Sequence, residues 1–156
     1  MSNYNFHKDL KRAVKAETAM SEKLCTFYKS KIKEIVAGDK DSKWDYTVLL
    51  KNGGSYTVEQ KNDYMSEKTG NIAIEFESRG KASGIQVSKA DFYLIVAKPD
   101  AILIHTKRLK ELVKEKAYSR KHENGGDWGS KTKNYLFKKE VIKANGKLLF
   151  TKGESK

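Results

Sequence analysis

The chain has a single cysteine and a single proline in 156 residues. With Cys25 alone, an intramolecular disulfide is excluded and a reducing compartment is expected. One cysteine and three scattered histidines, His7, His105 and His122, make no structural zinc site. Cys25 reads as a half-buried helix residue. Apolar runs are short, and none approaches the ~20 residues that span a bilayer. Residues 1–8 lack the apolar stretch of a signal peptide, so a cytoplasmic protein is expected. Acidic residues are also in deficit: 20 Asp and Glu stand against 32 Lys and Arg, a net charge of +12. Such a surplus favours polyanionic partners, nucleic acid first and anionic membrane second. The lysines recur along the whole chain, so the charge is not a basic tail. A surface charged only for solubility is the competing reading.

What is present suits one domain with a real core: 38% of residues are hydrophobic and 10% aromatic. Leu10, Ala13, Val14, Met20, Leu24 and Phe27/Tyr28 recur at helical spacing and predict a helix from about Lys8 to Ile32. Glu17 falls within that apolar stripe, whereas Glu22 lies about 140° away on the solvated side. A carboxylate on a core-facing stripe is costly without a partner. Glu17 therefore either pairs with a core-edge lysine or points into an acidic pocket built by other elements.

Residues 34–37 read as a short strand and 63–70 as a polar loop. Residues 71–77 alternate, with Ile72, Ile74 and Phe76 on one face. Residues 78–84 form a basic loop of small residues, and 85–90 read as a short helix. Residues 91–97 are nearly all apolar, which suits a central buried strand. A further strand, 101–104, follows Pro99. Thr106 is placed to cap a helix over 107–116, with Leu109, Leu112 and Val113 inward. Residues 119–134, rich in Gly, Lys and Asn, read as a mobile loop. Residues 135–151 read as a short strand, a turn of helix ending at Gly146 and a last strand at 148–151. This order predicts an α/β domain with a mixed sheet.

The chemistry concentrates in residues 44–61. Trp44-Asp45-Tyr46-Thr47-Val48-Leu49-Leu50 runs into Lys51-Asn52-Gly53-Gly54 and returns as Ser55-Tyr56-Thr57-Val58-Glu59-Gln60-Lys61. Asn-Gly-Gly between two β-rich runs predicts a hairpin. A two-residue loop would put Asp45 on the opposite face from Glu59 and Lys61. A three-residue loop of Asn52, Gly53 and Gly54, with Gly54 left-handed, would pair Lys51 with Ser55, Leu49 with Thr57, Thr47 with Glu59 and Asp45 with Lys61. Asp45, Thr47, Thr57, Glu59 and Lys61 then share one face, and Val48, Leu50, Tyr56 and Val58 the other. Two carboxylates and an ammonium on one face can hold a divalent metal beside a phosphate. An ordinary solvated hairpin face is the plainer alternative.

An N-terminal helix carrying a glutamate, a strand opening on Asp45, a hairpin and then Glu59-Gln60-Lys61 resembles the PD-(D/E)xK nuclease superfamily, with its restriction-endonuclease-like core. The resemblance covers about residues 8–105. Small size and basic character are most similar to archaeal-type Holliday junction resolvases and related phage nucleases. Trp44 stands where that motif has its proline. The region after Lys107, including Gly125-Gly126-Asp127-Trp128, matches no superfamily motif. The resemblance implies one nuclease-like domain over 1–156, with a mixed central sheet flanked by helices. Its core spans about 8–118, and 119–156 form a basic loop and extension. It implies a Mg2+-dependent DNA endonuclease (Mn2+ as a substitute) acting on duplex or branched, four-way DNA, with a homodimer as the expected assembly and a bacterial, archaeal or phage-infected cell as its setting. Asp45 and Glu59 would ligate metal, and Gln60 would offer its backbone carbonyl. Lys61 would position or help deprotonate the attacking water, and Glu17 would bind metal through water or hold the lysine. Ser78, Arg79, Lys81, Ser83 and Lys89 would contact DNA, although any one of these lysines is more often a solvated surface charge. Phosphate contacts of this kind weaken with salt and carry no sequence information. A non-catalytic nucleic-acid-binding protein on the same fold is the alternative function.

Overall fold

In a computed structural model of the chain, residues 32–38, 43–125 and 131–150 are described. Alternating apolar residues give strands that bury one face, and these strands build two sheets. In chain order the elements are β1 (Ile32–Ala37), β2 (Tyr46–Leu50), β3 (Ser55–Asn62), α1 (Ser66–Thr69), β4 (Asn71–Ser78), β5 (Lys81–Ala82), a 3-10 turn (Gly84–Gln86), β6 (Phe92–Ala97), β7 (Asp100–His105), α2 (Thr106–Lys114), β8 (Arg120–Gly125), β9 (Thr132–Lys138), α3 (Lys139–Asn145) and β10 (Lys147–Phe150). The larger sheet has the order β1-β2-β3-β6-β7-β10 and the smaller β5-β4-β9-β8. Within the larger sheet, β3 and β6 run parallel and every other neighbouring pair is antiparallel. The domain is α/β with a mixed central sheet. No helix among the described residues is long and apolar enough to cross a membrane.

Two cores lie on the two faces of the larger sheet. On one face Tyr46, Val48, Val58, Leu94, Ala101 and Leu103 pack with Ile32 and Leu149. On the other, Tyr93, Ile95, Ile102 and Ile104 pack against Ile72, Ile74 and Phe137 of the smaller sheet, Leu109 and Leu112 of α2, and Ile142 of α3. Each such side chain buried completely contributes about 1.5–3 kcal/mol. The run 92–97 is therefore apolar throughout because both of its faces are covered.

Parallel neighbours need a long crossover, usually helical. Here residues 63–91 make it through α1, β4, β5 and the 3-10 turn, so a strand of the second sheet takes part in the crossover. Asp63 fixes its start. Its Oδ1 accepts from the amides of Met65 (3.1 Å) and Ser66 (3.0 Å), and its Oδ2 from that of Ala73 (2.9 Å). One side chain thus caps α1 and ties the end of β3 to β4.

Several expected boundaries move. The helix expected over 8–32 lies outside the described residues except for Ile32, which is instead the first residue of β1 and pairs with Leu50. Residues 85–90 hold only the 3-10 turn. Thr106 is the first residue of α2 rather than its cap, and its buried hydroxyl finds no partner among the described residues. The expected mobile loop, 119–134, contains β8 and the start of β9. The polar strand β8 is held by pairing with β9 and by Lys121, whose ammonium lies 5.9 Å from the Phe76 ring centroid and 5.8 Å from that of Tyr135. Those two rings stack at 4.2 Å. β10 completes the larger sheet as its edge strand, and α3 is pinned to the β6–β7 turn by a buried Lys139–Asp100 pair at 3.0 Å.

Asp63→Ala leaves three amides without their acceptor. It is expected to cost about 2–4 kcal/mol, and Asp63→Asn, which keeps a carbonyl oxygen, clearly less. Urea unfolding measures this as a lowered midpoint with an unchanged slope. Equal midpoints for Asp63→Ala and the parent would refute this account of the crossover.

Candidate functional site

The hairpin turn sets the site. The Leu50 amide donates to the Gly54 carbonyl (2.8 Å) and the Gly53 amide to the Leu50 carbonyl (3.1 Å). The three-residue loop is therefore Lys51-Asn52-Gly53. Gly53 takes the left-handed position, with φ +92°. Asn52 Oδ1 accepts from the Gly54 amide at 2.8 Å, which holds Gly54 at the start of the returning chain. This corrects the expected loop of Asn52, Gly53 and Gly54 and every pairing drawn from it. Leu49 pairs with Ser55 rather than Thr57, and Thr47 with Thr57 rather than Glu59. The register moves by two residues, so the faces are unchanged. Val48 and Val58 are buried on one side, and Thr47, Thr57, Glu59 and Lys61 are half-buried on the other.

Asp45 precedes β2 and extends its pairing. Its amide donates to the Val58 carbonyl (2.9 Å), and its Oδ2 accepts from the Gln60 amide (2.7 Å). Tyr46 already pairs with Val58, so the ladder ends there and Asp45 is bonded to the β3 backbone on either side of Glu59, not set opposite Lys61 as expected. The carboxylate is locked against the β3 backbone between Glu59 and Lys61, whose side chains share one face of the strand.

β6 supplies the floor. Tyr93 lies beside Glu59, and Ile95 beside Lys61. Burial pushes the Tyr93 hydroxyl up to about 12; a hydrogen bond with Ser88 opposes this, and the carboxylates of Glu59, Glu75 and Asp45 add to it. Three carboxylates, from β3, from β4 and from the residue before β2, thus act on one phenol. Glu75 is the member that sequence reasoning missed. It comes from β4, and its Oε2 accepts from the Ser83 hydroxyl at 2.9 Å. Gly84 makes this packing possible: a Cβ there would lie 2.1 Å from the Glu75 carbonyl oxygen. The signal that could have found the cluster is Tyr93 itself, a hydroxyl in an otherwise apolar strand.

The expected site residues are placed as follows. Glu59 and Lys61 share a shelf, one face of β3, and Asp45, just before β2, is bonded to the Gln60 amide between them. The Gln60 side chain turns to the opposite face, where its Nε2 donates to Asn62 Oδ1 (3.1 Å). Glu17 and Trp128 lie outside the described residues. Among the described residues, no three His, Cys, Asp or Glu side chains are grouped to hold a metal ion. The five expected DNA contacts do not form one patch. Arg79 and Lys81 are exposed at the β4–β5 turn beside half-buried Ser78, and Arg79 and Gly80 both have positive φ, as a tight two-residue hairpin turn requires. Ser83 turns toward Glu75. Lys89 stands apart in a cleft beside α2.

No family model matches this chain, and no curated protein and no solved structure matches it.

The Tyr93 environment has a measurable consequence. A phenol raised from 10 to about 12 stays protonated in the folded chain while the unfolded chain ionises. Its contribution is therefore intact below pH 10 and is lost as pH rises from 10 to 12, roughly 2–3 kcal/mol in all. Denaturant unfolding of the parent should weaken over that interval more steeply than unfolding of Tyr93→Phe. Matching alkaline slopes in the two proteins would contradict it.

Proposed function

We propose that this protein is a Mg2+-dependent DNA endonuclease on a restriction-endonuclease-like core of the PD-(D/E)xK type. The observation that carries the reading is the Asp45 carboxylate held to the Gln60 amide at 2.7 Å, the backbone group between Glu59 and Lys61, whose side chains share one face of β3.

The donor chemistry fits the ion. Asp45 Oδ1 and the Glu59 carboxylate are hard oxygens, the kind Mg2+ prefers while keeping several waters, and the Gln60 carbonyl offers a third. A bound Mg2+ at such a site supplies an acidified water and stabilises the oxygens of a phosphodiester under attack. The remaining work falls to the chain. Asp45 is fixed by its amide contact, so it does not reorganise when the substrate arrives. Lys61, two residues beyond Glu59, offsets negative charge on the phosphate and orients the attacking water. Tyr93 lies beside Glu59 and remains protonated at neutral pH. The basic surplus steers DNA to the shelf, and Arg79 and Lys81 at the β4–β5 turn add backbone contacts. Four-way or other branched DNA is the substrate class, and Glu17 the third carboxylate, that the family resemblance contributes.

Incubation with supercoiled plasmid and with four-way junctions, with Mg2+ or EDTA, tests this reading. Metal-dependent cleavage is expected, and Asp45→Asn or Glu59→Gln should lower it by about 10²-fold or more. If no substrate is cut, or if Asp45→Asn cleaves like the parent, the reading fails.

A second reading, a non-catalytic nucleic-acid-binding protein on the same fold, is favoured by one observation: the described acids do not form a three-ligand group. It expects salt-sensitive, metal-independent binding. Loss of cleavage with retained binding in Glu59→Gln would eliminate it.

A further inference from the structure

A second feature lies at the other end of β3. A cleft of about 780 Å3 opens between α2 and the strand ends, with Ser55 and Tyr56 of β3, Phe92 of β6 and His105 of β7 among its walls. Its α2 wall carries Lys107, Lys110 and Lys114, whose spacing of three and four residues puts them on one side of the helix. Leu109 and Leu112 occupy the opposite, buried side. Lys89 extends this rail from the loop before β6. The acids of the cleft already have partners: Asp91 Oδ2 accepts from the Thr57 amide (2.9 Å), and Glu111 pairs with Arg108 (3.3 Å). Lys89, Lys107 and Lys114 make no ion pair among the described residues.

The strand wall is aromatic. Tyr56 meets Phe92 edge-on with centroids 4.9 Å apart, and Phe92 meets His105 at 4.2 Å. These three rings step across three adjacent strands, with His105 exposed and the other two half-exposed. A cationic rail and an aromatic ladder bordering one cleft suit unpaired nucleic acid, because a base can stack on a ring while the backbone follows the charges. A closed duplex keeps its bases stacked and offers such rings no base face.

We propose that this cleft binds an unpaired stretch of polynucleotide, with phosphates on Lys89, Lys107, Lys110 and Lys114 and a base on the Tyr56–Phe92–His105 ladder. The proposal rests on the nucleic-acid reading above and specifies an unpaired segment as the feature recognised.

Fluorescence anisotropy tests it, using labelled oligothymidylate and a blunt duplex of equal length, at pH 8 in EDTA across a NaCl series. Both variants are first checked for parental thermal unfolding. The parent should bind the single strand more tightly than the duplex. The double variant Lys107→Ala/Lys114→Ala, on exposed helix positions, should lower the slope of log affinity on log salt by about 1.4, two contacts at ~0.7 each. His105→Ala should weaken single-strand binding roughly 5- to 100-fold at every salt concentration, with the slope unchanged. A parental slope in the lysine variant overturns the proposal, as does equal or tighter duplex binding by the parent, or parental affinity in His105→Ala. EDTA separates the two readings: absent cleavage with these binding effects intact removes only the nuclease, and cleavage without them removes only the cleft.

Discussion

β3 is hydrogen-bonded along both edges, antiparallel to β2 and parallel to β6, and this double pairing fixes the chemistry of the molecule. A strand held on both sides cannot slip. Its alternation then dictates that Val58 faces one core while Glu59 and Lys61 face the other way, beside Tyr93 and Ile95. A slip of one residue on either edge would carry the two charges into the apolar face and expose Val58. The turn at Gly53 and the Asp45–Gln60 contact guard the register from opposite ends of the β2–β3 pairing. The shelf is therefore a consequence of backbone pairing, and Asp45 belongs to it even though it stands outside regular strand structure.

The described acids are largely consumed by structure. Asp45, Asp63 and Asp91 accept from backbone amides, Asp100 holds two lysines of α3, Glu75 accepts from Ser83, Glu77 meets Lys133, and Glu111 and Glu115 share Arg108. Of these, the exposed ion pairs of Glu111 and Glu115 with Arg108 add little to stability, typically under about 1 kcal/mol. The pairing leaves the +12 surplus unchanged, and it reaches solvent as a positive potential.

Much of the larger sheet was legible because its signals are local. The Asn-Gly-Gly turn, the alternation of 46–50 and 55–61, the apolar run before Pro99 and the Leu109/Leu112 spacing each specify an element from neighbouring residues. The register was out by two because two adjacent glycines can each take the left-handed position, and only the Asn52 side chain, by capping Gly54, selects Gly53. In the second sheet β4 and part of β9 were legible, but β8 was not, for a different reason. Residues 120–125 have no apolar alternation, and they become a strand only through a partner, β9, whose own place is set by β4 some sixty residues earlier. Propensity reads local preference and is silent about such distant pairing. Glu75 was hidden likewise: its strand was evident, but nothing local said that it would approach Tyr93.

The shelf and the cleft share a wall. Ser88 bonds through its side chain to the Tyr93 hydroxyl, and its carbonyl accepts from Lys110 Nζ at 3.3 Å. Along β3, the five steps from Tyr56 to Lys61 span about 17 Å at ~3.3 Å per residue, comparable to five stacked nucleotides at ~3.4 Å. Tyr56 and Glu59 belong to opposite faces, so the two regions meet only around the end of the sheet. The Thr57–Asp91 contacts stand at that corner and tie the start of β6 to β3. Rigid strands thus set the separation of the two regions, while the α2 lysines supply the adaptable part of the surface.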